Sequence, residues 1–308
     1  MVGLPVLNVR GESIPEAWEN SILELYKKGQ WYKRDDPDDN EMQVDATMCI
    51  TIENPDSDLF MHKSMGCGIE DLLAYEMEIH GAKDSWRKEL GDAEDNKWDY
   101  LYHERLASYP TLKGPVDQIK FVIDRLCRRP FSRRINSITW VPERDMSAKD
   151  TPCLQRIGFL VTPDTESPKI NRLNMTYNFR SRNAMTAAPM NMVGLYAFQC
   201  TIRDGVRSVS GMNLENGRIA DITDSYHVST RDQKLLKGFM ERYERSVAKN
   251  ETIKDRAFSG KEVVFPYMNS ALSEVTEGII RQTGNYLSGT TLYNEIASIR
   301  LISEGRKR

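Results

Sequence analysis

Three short segments of the chain hold residue types that can act together on a small anionic molecule. They are Ser132-Arg133-Arg134-Ile135, Thr151-Pro152-Cys153-Leu154-Gln155, and Phe179-Arg180-Ser181-Arg182-Asn183 with Pro189-Met190-Asn191 just beyond. Guanidinium forks match the oxygens of a phosphate, and a serine hydroxyl adds a further donor. A cysteine among guanidinium groups is favoured as the thiolate, its nucleophilic form. An asparagine amide offers a donor and an acceptor together, which suits the edge of a pyrimidine. Taken singly, each feature has a plainer reading. A Pro-Cys dipeptide is more often a packed thiol, and an Arg-Arg pair is more often solvated surface. The chemistry depends on the segments converging, so the elements that carry them matter.

Ser13-Ile14-Pro15-Glu16 predicts a capped helix start with proline in its first turn. Trp18, Ile22 and Leu25 follow at helical spacing, and Gly29 can close the helix. Residues 33–40 form a charged loop. Met48 to Glu53 predicts a strand, and Asn54-Pro55-Asp56-Ser57 a turn. A helix is expected over Ile69 to His80, stopped by Gly81, and another through Val116, Ile119, Val122, Ile123 and Leu126, ended by Pro130. Ser137 to Val141 reads as a strand. Arg156 to Val161 and Leu173 to Phe179 read as two more, joined by turn residues at 162–168. Leu173, Met175, Tyr177 and Phe179 alternate with polar residues, so one face of that strand is buried. A buried helix is expected from Asn183 onward, with further helices over Thr230 to Val247 and Ser288 to Ile302. No internal repeat or low-complexity linker divides the chain, so residues 1–308 are read as one α+β domain.

Composition narrows the classes. The 308 residues are 40% hydrophobic and 28% charged, an ordinary globular mixture with enough chain for a real core. The net charge of -3 gives no general attraction to nucleic acid or membrane. Cys49, Cys67, Cys127, Cys153 and Cys200 are scattered and odd in number, without a CxxC pair. That argues against a disulfide framework and against a zinc site, so no metal is expected and a reducing compartment, the cytoplasm, is. No apolar run long enough to span a membrane is present, and the first residues lack a signal-peptide pattern.

Asp117-Gln118-Ile119, then Pro130-Phe131-Ser132-Arg133-Arg134-Ile135, Trp140, Pro152-Cys153, Arg180-Ser181 and Asn191 follow one another in an order and spacing that resembles the thymidylate synthase family. The resemblance runs from about Asp117 to His227. It implies a thymidylate synthase-like α+β fold, a large mixed β-sheet flanked by helices, with two copies packed sheet to sheet as a homodimer. It also implies that Cys153 adds to C6 of a pyrimidine nucleotide, so that C5 takes the methylene of the co-substrate 5,10-methylenetetrahydrofolate. By the same resemblance, Arg180 and Ser181 are phosphate ligands, and Arg133 and Arg134 reach the phosphate from the partner subunit. Asn191 reads the base edge and, as asparagine, goes with uracil, while His227 lies near the sugar. The segment Trp98 to Leu106, WDYLYHERL, looks like the active-site segment of hydroxymethylase and archaeal branches and brings Tyr102 near the site. Glu76 and Glu78 both fall where the general-base glutamate belongs, with Glu76 preferred.

The chain departs from the family pattern at several places. Leu154 follows the nucleophile where a histidine is usual, and Asn183 replaces the aspartate that orients the folate ring. Phe179 stands for a glutamine, Ser229 for a sugar-binding tyrosine, and the first phosphate arginine aligns nearest to Gln43. The end, Glu304-Gly305-Arg306-Lys307-Arg308, lacks the apolar tail that closes over the folate.

Hydride transfer from folate needs a dry pocket, whereas hydration needs an ordered water and a polar wall. Asp150, just before Thr151-Pro152-Cys153, is expected to position that water; the plainer reading is a surface turn carboxylate. With Asn183 and the tail, this favours hydroxymethylation of dUMP. Pro152-Cys153-Leu154-Gln155 and the run from Ala187 to Met192 also look like the hydroxymethylase branch of phages and nucleoside-antibiotic pathways. The alternatives are thymidylate synthase itself, a dCMP or CMP hydroxymethylase, and a non-catalytic nucleotide- or RNA-binding relative.

Overall fold

The structure, a computed structural model, describes residues 3–33, 42–87 and 97–283. Most of the charged loop at 33–40 and the helix expected over Ser288 to Ile302 lie outside the described residues. The chain runs β1 (Val6–Gly11), α1 (Ile14–Lys28), β2 (Gln30–Lys33), β3 (Met42–Ile52), β4 (Leu59–His62), α2 (Ile69–Ile79), α3 (Tyr102–Ala107), α4 (Gln118–Arg128), β5 (Asn136–Ile138), α5 (Pro142–Asp145) and β6 (Leu154–Pro163). It continues through β7 (Asn171–Asn183), α6 (Ala187–Ser210), β8 (Leu214–Val228), α7 (Gln233–Ala248), α8 (Ile253–Arg256), β9 (Ala257–Ser259) and α9 (Phe265–Thr283).

Strand order in the main sheet is β1-β3-β8-β7-β6-β5, with β2 on β3, while β4 and β9 pair separately. The sheet is mixed. β1–β3 and β7–β8 run parallel, and β3–β8, β6–β7 and β5–β6 run antiparallel. The parallel β7–β8 pair is joined by α6 as the crossover, the connection such a pair requires. α6 is buried over nearly all its length, as a helix apolar on every side must be. It packs on β7 and β8, and α2 and α4 pack on it, so the sheet is flanked by helices in an α+β arrangement. α1 covers β1 and β3, and its Trp18 Nε1 donates to the Ala184 carbonyl at 2.8 Å, tying it to the β7–α6 turn.

Ser13 caps α1 and Asp117 caps α4, each accepting a backbone N–H of the first turn. The predicted strands at Met48, Arg156 and Leu173 all form but run longer at one or both ends. The strand expected over Ser137 to Val141 is shorter, because Pro142 starts α5. Several elements were not expected: the short β2, β4, α3, α5, α8 and β9, and the longer β1, β8 and α9. β8 escapes a periodicity reading because Asn216, Asp221 and Thr223 are buried polar residues within it, which breaks the apolar-polar alternation.

Two glycines allow close approaches near the future site. Gly81 has φ of 100° and ends the α2 turn in a conformation that other residues rarely adopt. Gly194 of α6 lies against the Tyr75 ring of α2, and a Cβ there would meet ring atoms at 2.6 Å. Replacing Gly194 with valine is expected to destabilise the fold by about 1–3 kcal/mol through overpacking. Urea denaturation measures this, and an unchanged midpoint would show that the helices separate freely.

Candidate active site

Cys153 immediately precedes β6, and the adjacent strand β7 holds its loop in place. The Arg180 backbone N–H donates to the Cys153 carbonyl at 2.9 Å. The Arg180 guanidinium donates to the carbonyls of Thr151 and Pro152, at 2.7 and 3.1 Å. From the other side, the Leu154 N–H donates to the Tyr102 hydroxyl at 3.2 Å. The segment Trp98 to Tyr102 thus forms one wall beside the thiol, with the Tyr100 and Tyr102 rings 5.6 Å apart.

A cavity of about 520 Å³ opens over Cys153. Ser181, Asn183, Asn191, His227 and Tyr102 line it, so five residues expected at the site share one cavity with Cys153. Trp98, exposed at its rim, and Tyr100 add flat aromatic surface. Asn191 Nδ2 donates to the Tyr75 hydroxyl at 2.7 Å. His227 Nδ1 lies 3.4 Å from Ser225 Oγ, which donates to the buried Asp45 at 2.8 Å. Asn183 uses its side chain locally. Its Nδ2 donates to Asp232 at 2.6 Å, and its Oδ1 accepts the N–H groups of Met185 and Thr186, fixing the turn into α6.

Other expected residues are elsewhere. Glu76 is buried and is not among the residues that line the cavity. On α2 the lining residues are Asp71, Ala74, Tyr75 and Glu78, one face of the helix, and a residue two positions from Glu78 points to the opposite side. Glu78 is therefore the glutamate at the cavity, paired with Lys83 at 3.1 Å. Asp150 is exposed on the loop ahead of Cys153 and does not line the cavity. Arg133 and Arg134 are exposed, and Arg133 lines a separate groove of about 1070 Å³ with Arg156, Asn174, Thr176 and Arg218 of the sheet. Within one chain they do not reach the cavity over Cys153. Among the described residues, no group of His, Cys, Asp or Glu is arranged to hold a metal.

Sequence reasoning missed Tyr75, Tyr100, Lys83 and Arg182 as wall residues. Arg182 carried a signal, since it lies between Ser181 and Asn183 in a segment already singled out. Its guanidinium is buried, bound to Asp221 at 2.6 Å and stacked 4.5 Å from the Phe179 ring.

Burial pushes the Cys153 thiol above its ordinary value. Arg180, a hydrogen bond from Tyr100 and Arg182 pull it down, Asp150 pushes it further up, and the net shift is upward. The resting cysteine is accordingly a thiol at neutral pH. Iodoacetamide labelling of Cys153, followed by mass spectrometry, is expected to be slow at pH 7 and to rise only beyond about pH 8.5. Half-maximal labelling below that would contradict the burial effect.

A family model described as "Thymidylate synthase" matches residues 59–262. The chain is 25% identical to the "Putative thymidylate synthase" of Methanosarcina barkeri over 75% of this chain and 94% of that protein. The protein of the same name from Methanosarcina acetivorans matches at 25% identity, over 75% of this chain and 94% of its own length. That of Methanocaldococcus jannaschii is 33% identical over 37% of this chain and 50% of its own. With two thirds of the chain matched by the family and the cysteine, serine, asparagine and histidine gathered at one cavity, the chain belongs to the thymidylate synthase family and is a one-carbon transferase.

Proposed function

We propose that the protein is a deoxyuridylate hydroxymethylase, converting dUMP to 5-hydroxymethyl-dUMP. The observation that carries this reading is the Glu78–Lys83 ion pair, which with Tyr100 lines the same cavity as Cys153, Asn191 and His227. Such a pair suits an ordered water better than a dry hydride transfer. In the proposed reaction the Cys153 thiolate bonds to C6, and the C5–C6 π electrons move toward the C4 carbonyl as an enolate. 5,10-Methylenetetrahydrofolate, the family's co-substrate, supplies the one-carbon unit to C5, and the aromatic surface of Trp98 and Tyr100 fits its planar ring. Glu78 accepts the C5 proton as the bond from the methylene to the folate N5 breaks, so that tetrahydrofolate leaves and an exocyclic methylene remains, and Glu78 then orients a water held beside Lys83. The water adds to the exocyclic methylene, the C6–Sγ bond breaks, and the electron pair returns to the thiolate. Asp150, outside the cavity, keeps negative charge near Cys153 and opposes its thiolate form.

Ser181 and Arg180 are proposed to take the phosphate, Asn191 the uracil edge, His227 the sugar and Asn183 the entry to the folate site. For Arg180 this requires leaving the Thr151 and Pro152 carbonyls. Arg133 and Arg134 are proposed to act in a partner subunit's site, in a sheet-to-sheet homodimer built from a single 1–308 unit. The groove beside Arg133 on the sheet supports that arrangement. No described helix is long and apolar enough to cross a membrane, and a cytoplasmic setting, that of a host cell if a phage encodes it, suits the substrate. No nucleic acid is needed for the reaction. Reductive methylation to dTMP is the second reading, favoured by the names that the relatives carry.

Product mass after incubation with methylenetetrahydrofolate and dUMP, dCMP or CMP tests the proposal. Hydroxymethyl-dUMP is expected, and none from Cys153→Ser. Thymidylate together with dihydrofolate would establish the second reading instead, and turnover of dCMP or CMP alone would overturn the uracil assignment. Mixing inactive Cys153→Ser and Arg133→Ala subunits is expected to restore roughly a quarter of wild-type activity through mixed dimers. No recovery would argue against shared sites.

A further inference from the structure

Arg182 is the most unusual polar residue of the cavity wall. Its side chain is 1% exposed, yet its Nε and Nη1 have no hydrogen-bond partner. Nη2 alone is used, on Asp221, which also accepts the Tyr177 hydroxyl at 3.2 Å. The rings of Phe179 and Tyr226 flank the guanidinium at 4.5 and 5.5 Å. A buried N–H left unpaired is costly, and native proteins rarely leave one so. Other donors are close by. The Tyr75 hydroxyl oxygen accepts from Asn191, which leaves the hydroxyl hydrogen to be donated. Arg182 lines the same cavity as Tyr75, Asn191 and Cys153. This end of the cavity therefore presents several hydrogen-bond donors, and it fits an oxygen that gains negative charge.

We infer that Arg182 binds the exocyclic O4 of the pyrimidine through its free N–H groups and stabilises the enolate formed when Cys153 attacks. The inference rests on the proposed function and adds a catalytic residue to it. In the step concerned, the thiolate forms the Sγ–C6 bond. The C5–C6 π pair becomes the C4–C5 π bond, and the C4=O4 π pair moves onto O4, which carries the charge brought by sulfur. The thiol proton has already gone to solvent. Oriented donors aimed at developing charge in a buried site are among the largest contributions to rate. A carbonyl is accepted there, and the amino group of a cytosine is opposed by donors facing donors.

The test compares the binding of dUMP with that of the 2-pyrimidinone deoxyribonucleotide, which lacks O4, by titration calorimetry. Wild type is expected to bind dUMP at least roughly tenfold more tightly. Arg182→Lys keeps a cation beside Asp221, and the Arg182→Gln/Asp221→Asn double variant keeps the charge balance should the single variant unfold. In a folded variant the tenfold gap is expected to collapse toward unity. Exchange of the dUMP C5 proton with solvent is expected to fall roughly a hundredfold. A purely structural Arg182 would lower melting temperature without closing the gap between the two nucleotides. Equal binding of both by wild type, or a gap unchanged in the variants, overturns the inference and leaves the proposed function standing. If wild type binds neither nucleotide, the proposed function fails and the role of Arg182 falls with it.

Discussion

The seam between β7 and β8 is held by a buried ion pair, and much of the site depends on it. Arg182 and Asp221 are both nearly sealed from solvent. Taking two charges out of water is expensive, and removing one partner from such a pair typically costs about 3–5 kcal/mol. Burial works against the Arg182 charge, but the carboxylate beside it outweighs that effect and holds the guanidinium charged. The pair also fixes the parallel register in which Ser181, Arg182 and Asn183 stand beside Ser225, Tyr226 and His227. One interaction thus sets where the polar residues of two strands meet under the cavity.

From that seam Cys153 is placed by hydrogen bonds to the backbone on either side of it, together with packing against the core. Arg180, one residue before Ser181, grips the carbonyls of the loop ahead of Cys153, and Tyr102 receives the N–H just after it. The thiol that results is half-buried and shifted toward its protonated form. In the proposed reaction a ligand must rearrange the nearby charges before that thiol can attack. Arg180 is the group best placed to do this, because the phosphate ligation proposed for it would release the loop carbonyls it now holds.

Much of the site was legible because the chemistry is local in the chain. Cys153, Ser181, Asn191 and His227 each stand in a short motif, and they meet as expected. The choice between Glu76 and Glu78 was open because both lie on one predicted helix. Two positions along a helix is nearly half a turn, so only the direction in which α2 presents its face decides between them. Asp150 and Asn183 show the same limit. Their residue types suit a water and a pterin, but the structure leaves Asp150 exposed outside the cavity and occupies the Asn183 side chain with Asp232 and the α6 turn.

The residues by themselves determined the α+β class, most helices and hairpin strands, and the family, since these rest on periodicity and on motifs a few residues long. The tertiary structure decided β8 and everything that depends on it. A central strand carrying Asn216, Asp221 and Thr223 shows no clean alternation, because it buries polar residues, of which Asn216 and Asp221 pair with Asp56 and Arg182 far away in sequence. Arg182 read as one more cation in an arginine-rich segment until its burial, its pairing with Asp221 and its two unpartnered N–H groups were visible together. Charge and residue type are written in the chain, but whether a charge faces water, a carboxylate or a ligand is set only when distant strands pair.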